Sequence, residues 1–247
     1  MSPLLANVVL SALDEHFCAR WDAFKDSSAR YRHRERGGAT YRIVRYADDF
    51  VIMVHGSRSH AEALWDEVTE VLAPLGVRLS EAKTRVTHLD EGLDFLGFRI
   101  QRRLKRGTAK KYVYTYPSKK ALASAMDKVR ALTGRSRHAS LADLLHQLNA
   151  VLRGWCMFFR HGVSKRTFGY LDDFAWRRVT QWLRKRHKGI TWKEMHRRFL
   201  TGSPGHRPAA DRKPLFLCQQ VEVTRYRWHG HSIPTPWTEA ADAADAA

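Results

Sequence analysis

The apolar residues of this chain change their period at Pro117, and that change limits the fold more than any other feature. Ahead of it, short runs rich in Ile, Val, Tyr and Phe sit between helical patterns; beyond it, apolar residues keep helical spacing to about residue 200. Strands need alternation or short apolar runs, whereas helices need a stripe at i, i+3, i+4 and i+7, so one chain carries two kinds of layer. The expected class is α+β: an antiparallel sheet with packed helices, followed by an all-α region. The expected domains are 1–116, 117–202 and a tail, 203–247, basic then acidic and partly disordered.

Residues 4–24 predict a helix, with Leu5, Val9, Leu13 and Phe17 every four positions, and the polar, basic stretch from Lys25 to Gly38 reads as a loop. Tyr41–Ala47 and Phe50–Val54 flank Asp48 and predict a hairpin of largely buried strands. Ser59 and Glu62 form a capping-box pattern ahead of Leu64, Val68, Val71, Leu72 and Leu75, and Gly76 stops that helix. Val77–Leu79, Arg85–Leu89 and Leu93–Ile100 have strand composition, and Arg99–Tyr116 reads as a basic strand or hairpin. Past Pro117, helices are expected over Lys119–Leu132, along the stripe Leu141 to Phe159, around Leu171, Ala175, Val179 and Trp182, and over Trp192–Leu200 with Thr191 and Glu194 as its cap.

Charge narrows the partner. Lys and Arg total 43 against 25 Asp and Glu, a net charge of +18, in a chain that also holds 8 Trp, 8 Tyr and 11 Phe. Such a surface attracts a phosphate backbone, and its aromatic and arginine planes can stack on unpaired bases. No apolar run is long enough for a membrane span, and the acids near the N-terminus do not suit a signal peptide, so the chain reads as intracellular. Cys18, Cys156 and Cys218 are odd in number and far apart in sequence, which argues for buried thiols over a disulfide framework or a zinc cluster.

The chemistry concentrates in Tyr46-Ala47-Asp48-Asp49, set between two apolar strands. Adjacent carboxylates at the tip of a buried hairpin repel each other and lose solvation, and Mg²⁺ would compensate, held by one or two carboxylates plus substrate phosphates. A solvated Asp-Asp turn is the plain alternative.

Several ordered blocks resemble the group II intron reverse transcriptases. Ser2-Pro3-Leu4-Leu5-Ala6-Asn7-Val8-Val9-Leu10 resembles the motif after that family's Pro-Gln-Gly loop, and Arg45-Tyr46-Ala47-Asp48-Asp49-Phe50 resembles its metal-binding motif. Leu79-Ser80-Glu81-Ala82-Lys83-Thr84 is similar to the block whose lysine approaches the incoming nucleotide, and Phe95-Leu96-Gly97-Phe98 to the block near the primer terminus. Leu148-Asn149-Ala150-Val151-Leu152-Arg153-Gly154-Trp155 with Phe158-Phe159 resembles the maturase, or thumb, domain. The resemblance implies an RNA-directed DNA polymerase, a nucleotidyltransferase of a mobile genetic element, with an RNA-splicing role on intron RNA. It implies part of a polymerase palm in 1–116 and a helical thumb in 117–202.

The same resemblance assigns catalysis and Mg²⁺ to Asp48 and Asp49, and nucleotide and primer contacts to Tyr46, Ala47, Lys83, Phe95, Leu96 and Gly97. Along an extended strand Asp49 points away from Asp48 and contributes less directly. Expected RNA contacts are Arg102, Arg103, Lys105, Arg106, Lys110 and Lys111 in one cluster, and Arg177, Arg178, Arg184, Lys185 and Arg186 in another. Trp155, Phe158 and Phe159 follow helical spacing and are expected in the thumb core. Partners implied are structured intron RNA, an RNA template with DNA primer, and dNTPs, without a membrane; a homodimer is compatible with the sequence. The expected location is cytoplasmic, near the nucleoid in a bacterium. The family's fingers, first catalytic aspartate and Pro-Gln-Gly loop would precede Ser2, so these 247 residues are expected to be inactive in polymerisation by themselves. No endonuclease domain with paired cysteines is expected. The competing reading is a non-catalytic maturase that stabilises folded intron RNA.

Overall fold

The computed structural model describes residues 3–134, 138–200 and 205–224. It divides into two compact units, Met1–Leu96 and Gly97–Ala247, and each is taken by itself. The division falls ahead of the Pro117 boundary expected from sequence, because Phe98 lies against Phe158 and Phe159 and the Ser118 amide donates to the Gly97 carbonyl. The basic hairpin thus belongs with the helices that follow it.

The first unit opens with α1 (Pro3–Asp22), which packs on β1 (Thr40–Tyr46) and α3 (Arg58–Leu72). Leu10, Leu13 and Phe17 of α1 meet Ala39, Tyr41, Leu64, Val68 and Leu72 in one small core. Each fully buried apolar side chain there contributes roughly 1.5–3 kcal/mol of transfer free energy. Leu5, expected on the same stripe, is exposed, as are Leu4 and Val8. β1 pairs antiparallel with β2 (Asp49–His55). The strands are not largely buried as the sequence suggested: Tyr41 and Ile43 face the core opposite Val54 and Ile52, while Val44, Tyr46 and Met53 are exposed. The alternation is that of a sheet covered on one face.

Further expectations need correction from here to the unit boundary. The stretch read as a loop holds α2 (Ser27–Glu35), whose Asp26 cap accepts from the Ala29 amide; it buries no residue, so apolar periodicity could not reveal it. The capping box of α3 is made by Ser57 and His60 rather than Ser59 and Glu62, because the helix starts at Arg58 and Glu62 pairs with Arg58 one turn on. Val77–Leu79 and Arg85–Leu89 form no strand; Val77 and Leu79 pack on the core without a ladder. Gly76 does end the helical segment, with φ +68° after the 3₁₀ turn Ala73–Leu75. Leu93–Ile100 is broken into β3 (Leu93–Phe95) and β4 (Phe98–Leu104) because Leu96 and Gly97 both take positive φ, +49° and +81°.

In the second unit β4 pairs antiparallel with β5 (Lys111–Pro117), as the basic hairpin expected from sequence. The helices follow as read: α4 (Lys119–Gly134), α5 (Leu141–Phe159), α6 (Lys165–Arg186) and α7 (Trp192–Met195) with a π-helical turn His196–Leu200. Ser140 and Asp143 box the start of α5, and Thr191 accepts from the Glu194 amide at α7. Leu144, Leu145, Leu148, Leu152, Phe168 and Leu171 are buried in a continuous core. Phe159 joins it and Trp155 packs against it, but Phe158 is exposed and stacks on Phe98.

Residues 205–224 are part of this unit and not of a tail. Asn149 donates to the Pro214 carbonyl (2.9 Å) and accepts from the Phe216 amide (2.7 Å), while Asp172 accepts from the amides of Cys218 and Gln219. Lys165 donates to the carbonyls of Gln219 and Val221. β6 (Ala209–Ala210) and β7 (Lys213–Pro214) lie in this segment, and Leu215 and Cys218 reach the core. Cys156 and Cys218, distant in sequence, are buried neighbours there; hydrogen bonding with Cys156 and burial push the Cys218 thiol up. Cys18 is exposed, against expectation. The acidic stretch Glu239–Ala247 lies outside the described residues. No described helix is long and apolar enough to cross a membrane.

Candidate nucleotidyl-transfer hairpin and nucleic-acid interface

The β1–β2 hairpin closes through a two-residue turn, Ala47-Asp48, with Tyr46 paired to Asp49 across its mouth. Ala47 has φ +54° and Asp48 does not have a positive φ, the pattern of a type II′ turn whose first central position favours glycine. A left-handed alanine costs roughly 1–2 kcal/mol, so surrounding contacts must hold the turn. Arg45 supplies them. Its guanidinium donates to the Asp14 carboxylate (2.9 Å from Nε), to Asn7 Oδ1 (2.9 Å) and to the Ala47 carbonyl (3.0 Å). Two sequence blocks, one around Asn7 and one around Asp48, are thereby joined. In the sequence Arg45 stands as one residue of the Arg45–Phe50 motif, and its position three residues ahead of the carboxylate pair is the available signal.

Asp48 and Asp49 are both exposed, so the expected loss of solvation at a buried tip does not occur. The turn lifts them off the covered face of the hairpin. Among the described residues no group of three His, Cys, Asp or Glu could hold a metal ion. Two neighbouring carboxylates still suit a hard dication, which takes one or two of them and fills its remaining positions with phosphate and water oxygens. The donor set therefore suits a hard divalent cation whose other positions are filled by oxygens from outside the protein. Tyr46 is exposed beside them.

The remaining expected contacts are spread over other elements. Lys83 is exposed in a turn where its amide and that of Thr84 donate to the Ser80 carbonyl, so it is not on a strand edge. Phe95 is half-buried and Leu96 exposed. At Gly97 a Cβ would stand 3.4 Å from the Phe159 ring, an ordinary contact, so its backbone conformation and not close approach calls for glycine.

The β4–β5 hairpin carries a cation and aromatic ladder. Arg103 lies over Tyr116 (5.4 Å) and Lys105 over Tyr112 (5.8 Å), with Arg106 and Lys110 exposed in the connecting loop. Arg102 and Lys111 pair across the same strands with Val113 and Leu104. The α6 cluster divides. Arg184 lies over Trp192 and Lys185 is exposed, and Arg177 is ion-paired with Asp173 on the surface. Arg178 donates to Thr133 and Gln181, and Arg186 donates to the carbonyls of His138 and Ala139. Those two arginines tie helices together, a role that spacing on a helix could not separate from phosphate contact.

Comparison with known proteins agrees with this division. Residues 1–100 match the family model described as reverse transcriptase (RNA-dependent DNA polymerase), and residues 122–200 match the group II intron, maturase-specific domain. Protein YkfC of Escherichia coli (strain K12) is 33% identical over 136 residues, covering 49% of this chain and 36% of that protein. The group II intron-encoded protein LtrA of Lactococcus lactis subsp. cremoris is 38% identical over 71 residues, covering 28% of this chain and 12% of LtrA. The matched segments thus span 36% of the length of YkfC and 12% of that of LtrA. With the two family models falling in order along the chain, the chain belongs to the group II intron reverse transcriptase/maturase family.

Proposed function

We propose that the chain works in RNA-directed DNA synthesis of the group II intron type and in binding of intron RNA, with the first unit as palm and the helical unit as thumb. The observation that carries this reading is the Arg45 junction, which locks two family blocks around the Asp48-Asp49 turn. Asp48, helped by Asp49, would hold Mg²⁺, which supplies charge neutralisation and activation of a primer hydroxyl. Tyr46, Ala47, Lys83, Phe95, Leu96 and Gly97 would face dNTP and primer. The exposed cations of the β4–β5 hairpin, with Arg184 and Lys185, would follow the phosphates of template and intron RNA.

Two-metal transfer would need enough carboxylate oxygens to hold both ions, and no third His, Cys, Asp or Glu stands with Asp48 and Asp49 among the described residues. The 247 residues on their own are therefore expected to extend a primer little. That same observation favours, as a second reading, a maturase that binds RNA without chemistry. Fe²⁺ in place of Mg²⁺, with primed RNA template, dNTP and peroxide, separates the readings by cutting the backbone beside the bound ion. Cleavage near residues 46–49 that Asp48→Ala removes, with RNA affinity held within about twofold, supports the metal assignment. Absence of such cleavage in the wild type leaves the binding-only reading. Robust template-dependent extension by the wild type would remove the need for a further carboxylate.

A further inference from the structure

Between residues 30 and 36 every second residue is arginine: Arg30, Arg32, Arg34 and Arg36. On a strand this alternation would place all four on one face, but this segment is α2 with Arg36 as its C-cap, and a helix sends residues two apart to opposite sides. The structure follows that rule. Arg30 lies over the Trp21 ring (4.3 Å) and Arg34 donates to Thr40, whereas Arg32 and Arg36 are exposed. None of Arg30, Arg32, Arg36 or Arg42 is ion-paired among the described residues, and Arg42 shares the Trp21 ring with Arg30 at 5.0 Å.

The helix dipole favours the cations of the last turn, Arg32 and Arg34, but among the described residues no carboxylate balances the four arginines together. A nine-residue helix that buries no side chain is marginal on its own, and like charges four apart weaken it by roughly 0.2–0.5 kcal/mol per pair. Two guanidiniums on one indole repel as well. A polyanion against the helix would turn each of these costs into attraction. Arginine suits phosphate in particular because its planar fork can bind two oxygens while its face stays stacked on the indole. A lipid surface is the poorer fit, since membrane-surface helices need a wide apolar face and α2 offers only Tyr31 and Ala29. At the C-terminal end of α2 a cleft of about 430 Å³ is lined by Arg34, His55 and His60, beside the single carboxylate of Glu35.

We propose that α2 and the Trp21 platform form an RNA-phosphate-binding surface of the first unit, separate in its residues from the β4–β5 hairpin and from α6. It rests on the RNA-binding reading above. Arg32 and Arg36 contact the backbone directly, and Arg30 and Arg42 are held ready by Trp21. The contacts are to phosphate, so they position RNA without reading its sequence.

The test uses the full chain and a labelled RNA hairpin of roughly 20 base pairs, with affinity measured from about 50 to 200 mM salt. Arg32→Glu with Arg36→Glu touches no internal contact, so its circular-dichroism spectrum should match the wild type. It should weaken binding about tenfold at low salt and flatten the log-log salt slope by about 1.5 to 2. Arg32→Lys with Arg36→Lys should restore most of the slope. Lys105→Ala with Arg106→Ala and Lys110→Ala serves as the independent comparison, and the two losses should multiply in the combined variant. An α2 variant that binds like the wild type while the hairpin variant is weakened overturns this inference and leaves RNA binding intact. A wild type without salt-dependent RNA binding overturns both. Tighter binding to phosphatidylserine vesicles or polyglutamate than to the RNA hairpin, lost in the α2 variant, would reject RNA as the occupant.

Discussion

The two units solve the same packing problem with unequal means. Leu144, Leu148, Leu152, Phe168 and Leu171 interlock from successive helices in the second unit, and residues 205–224 are hydrogen-bonded onto that core through Asn149, Asp172 and Lys165. The first unit has one short core of α1, α3 and one face of a two-stranded hairpin, and it leaves Leu4, Leu5, Val8, Val44 and Met53 exposed. A two-stranded sheet is only marginally stable without support, so its order depends on polar ties. Precision has a different source in each unit. In the helical unit it comes from apolar burial; at the Asp48-Asp49 turn it comes from Arg45.

Matched phenylalanine deletions give the widest test of this contrast. Phe168→Ala, at a fully buried position, should cost about 3–5 kcal/mol in urea unfolding, and Phe17→Ala should fall at or below the low end of that range because its smaller core can collapse. An equal or larger cost for Phe17 would break the comparison.

Arg45→Ala should cost less, about 1–3 kcal/mol, since its partners are only partly buried. Its larger sign should be local: faster hydrogen exchange across residues 44–51 with the helical unit unchanged. Arg45→Lys should recover little, as an ammonium cannot serve Asp14, Asn7 and the Ala47 carbonyl together. Unaltered exchange at the hairpin would show that the strands hold the turn unaided.

The smallest effect concerns pH. Burial pushes the Glu67 carboxyl up, but hydrogen bonds from His16 and Arg20, and their charges, outweigh it and hold the group below its ordinary value of 4.5. A carboxyl depressed in the folded state stabilises above its unfolded value and loses that contribution as pH falls through its folded value. Stability of the first unit should therefore drop more steeply below about pH 4.5 in the wild type than in Glu67→Gln. Parallel curves would remove this ion cluster from the account.

The sequence by itself determined the two-layer plan, the hairpin around Asp48, the helices from Lys119 to Met195 and the attraction for polyanions, because each follows from local periodicity or summed charge. It also carried the family blocks. Tertiary structure decided the rest. Whether Arg186 meets RNA or the carbonyls of His138 and Ala139, and whether Asn149 belongs to a surface motif or pins Pro214 and Phe216, depends on neighbours far along the chain. α2 escaped notice for the complementary reason: a helix that buries nothing leaves no apolar period to read. Val77–Leu79, in turn, has strand composition but no strand, since a strand exists only where a partner ladder meets it.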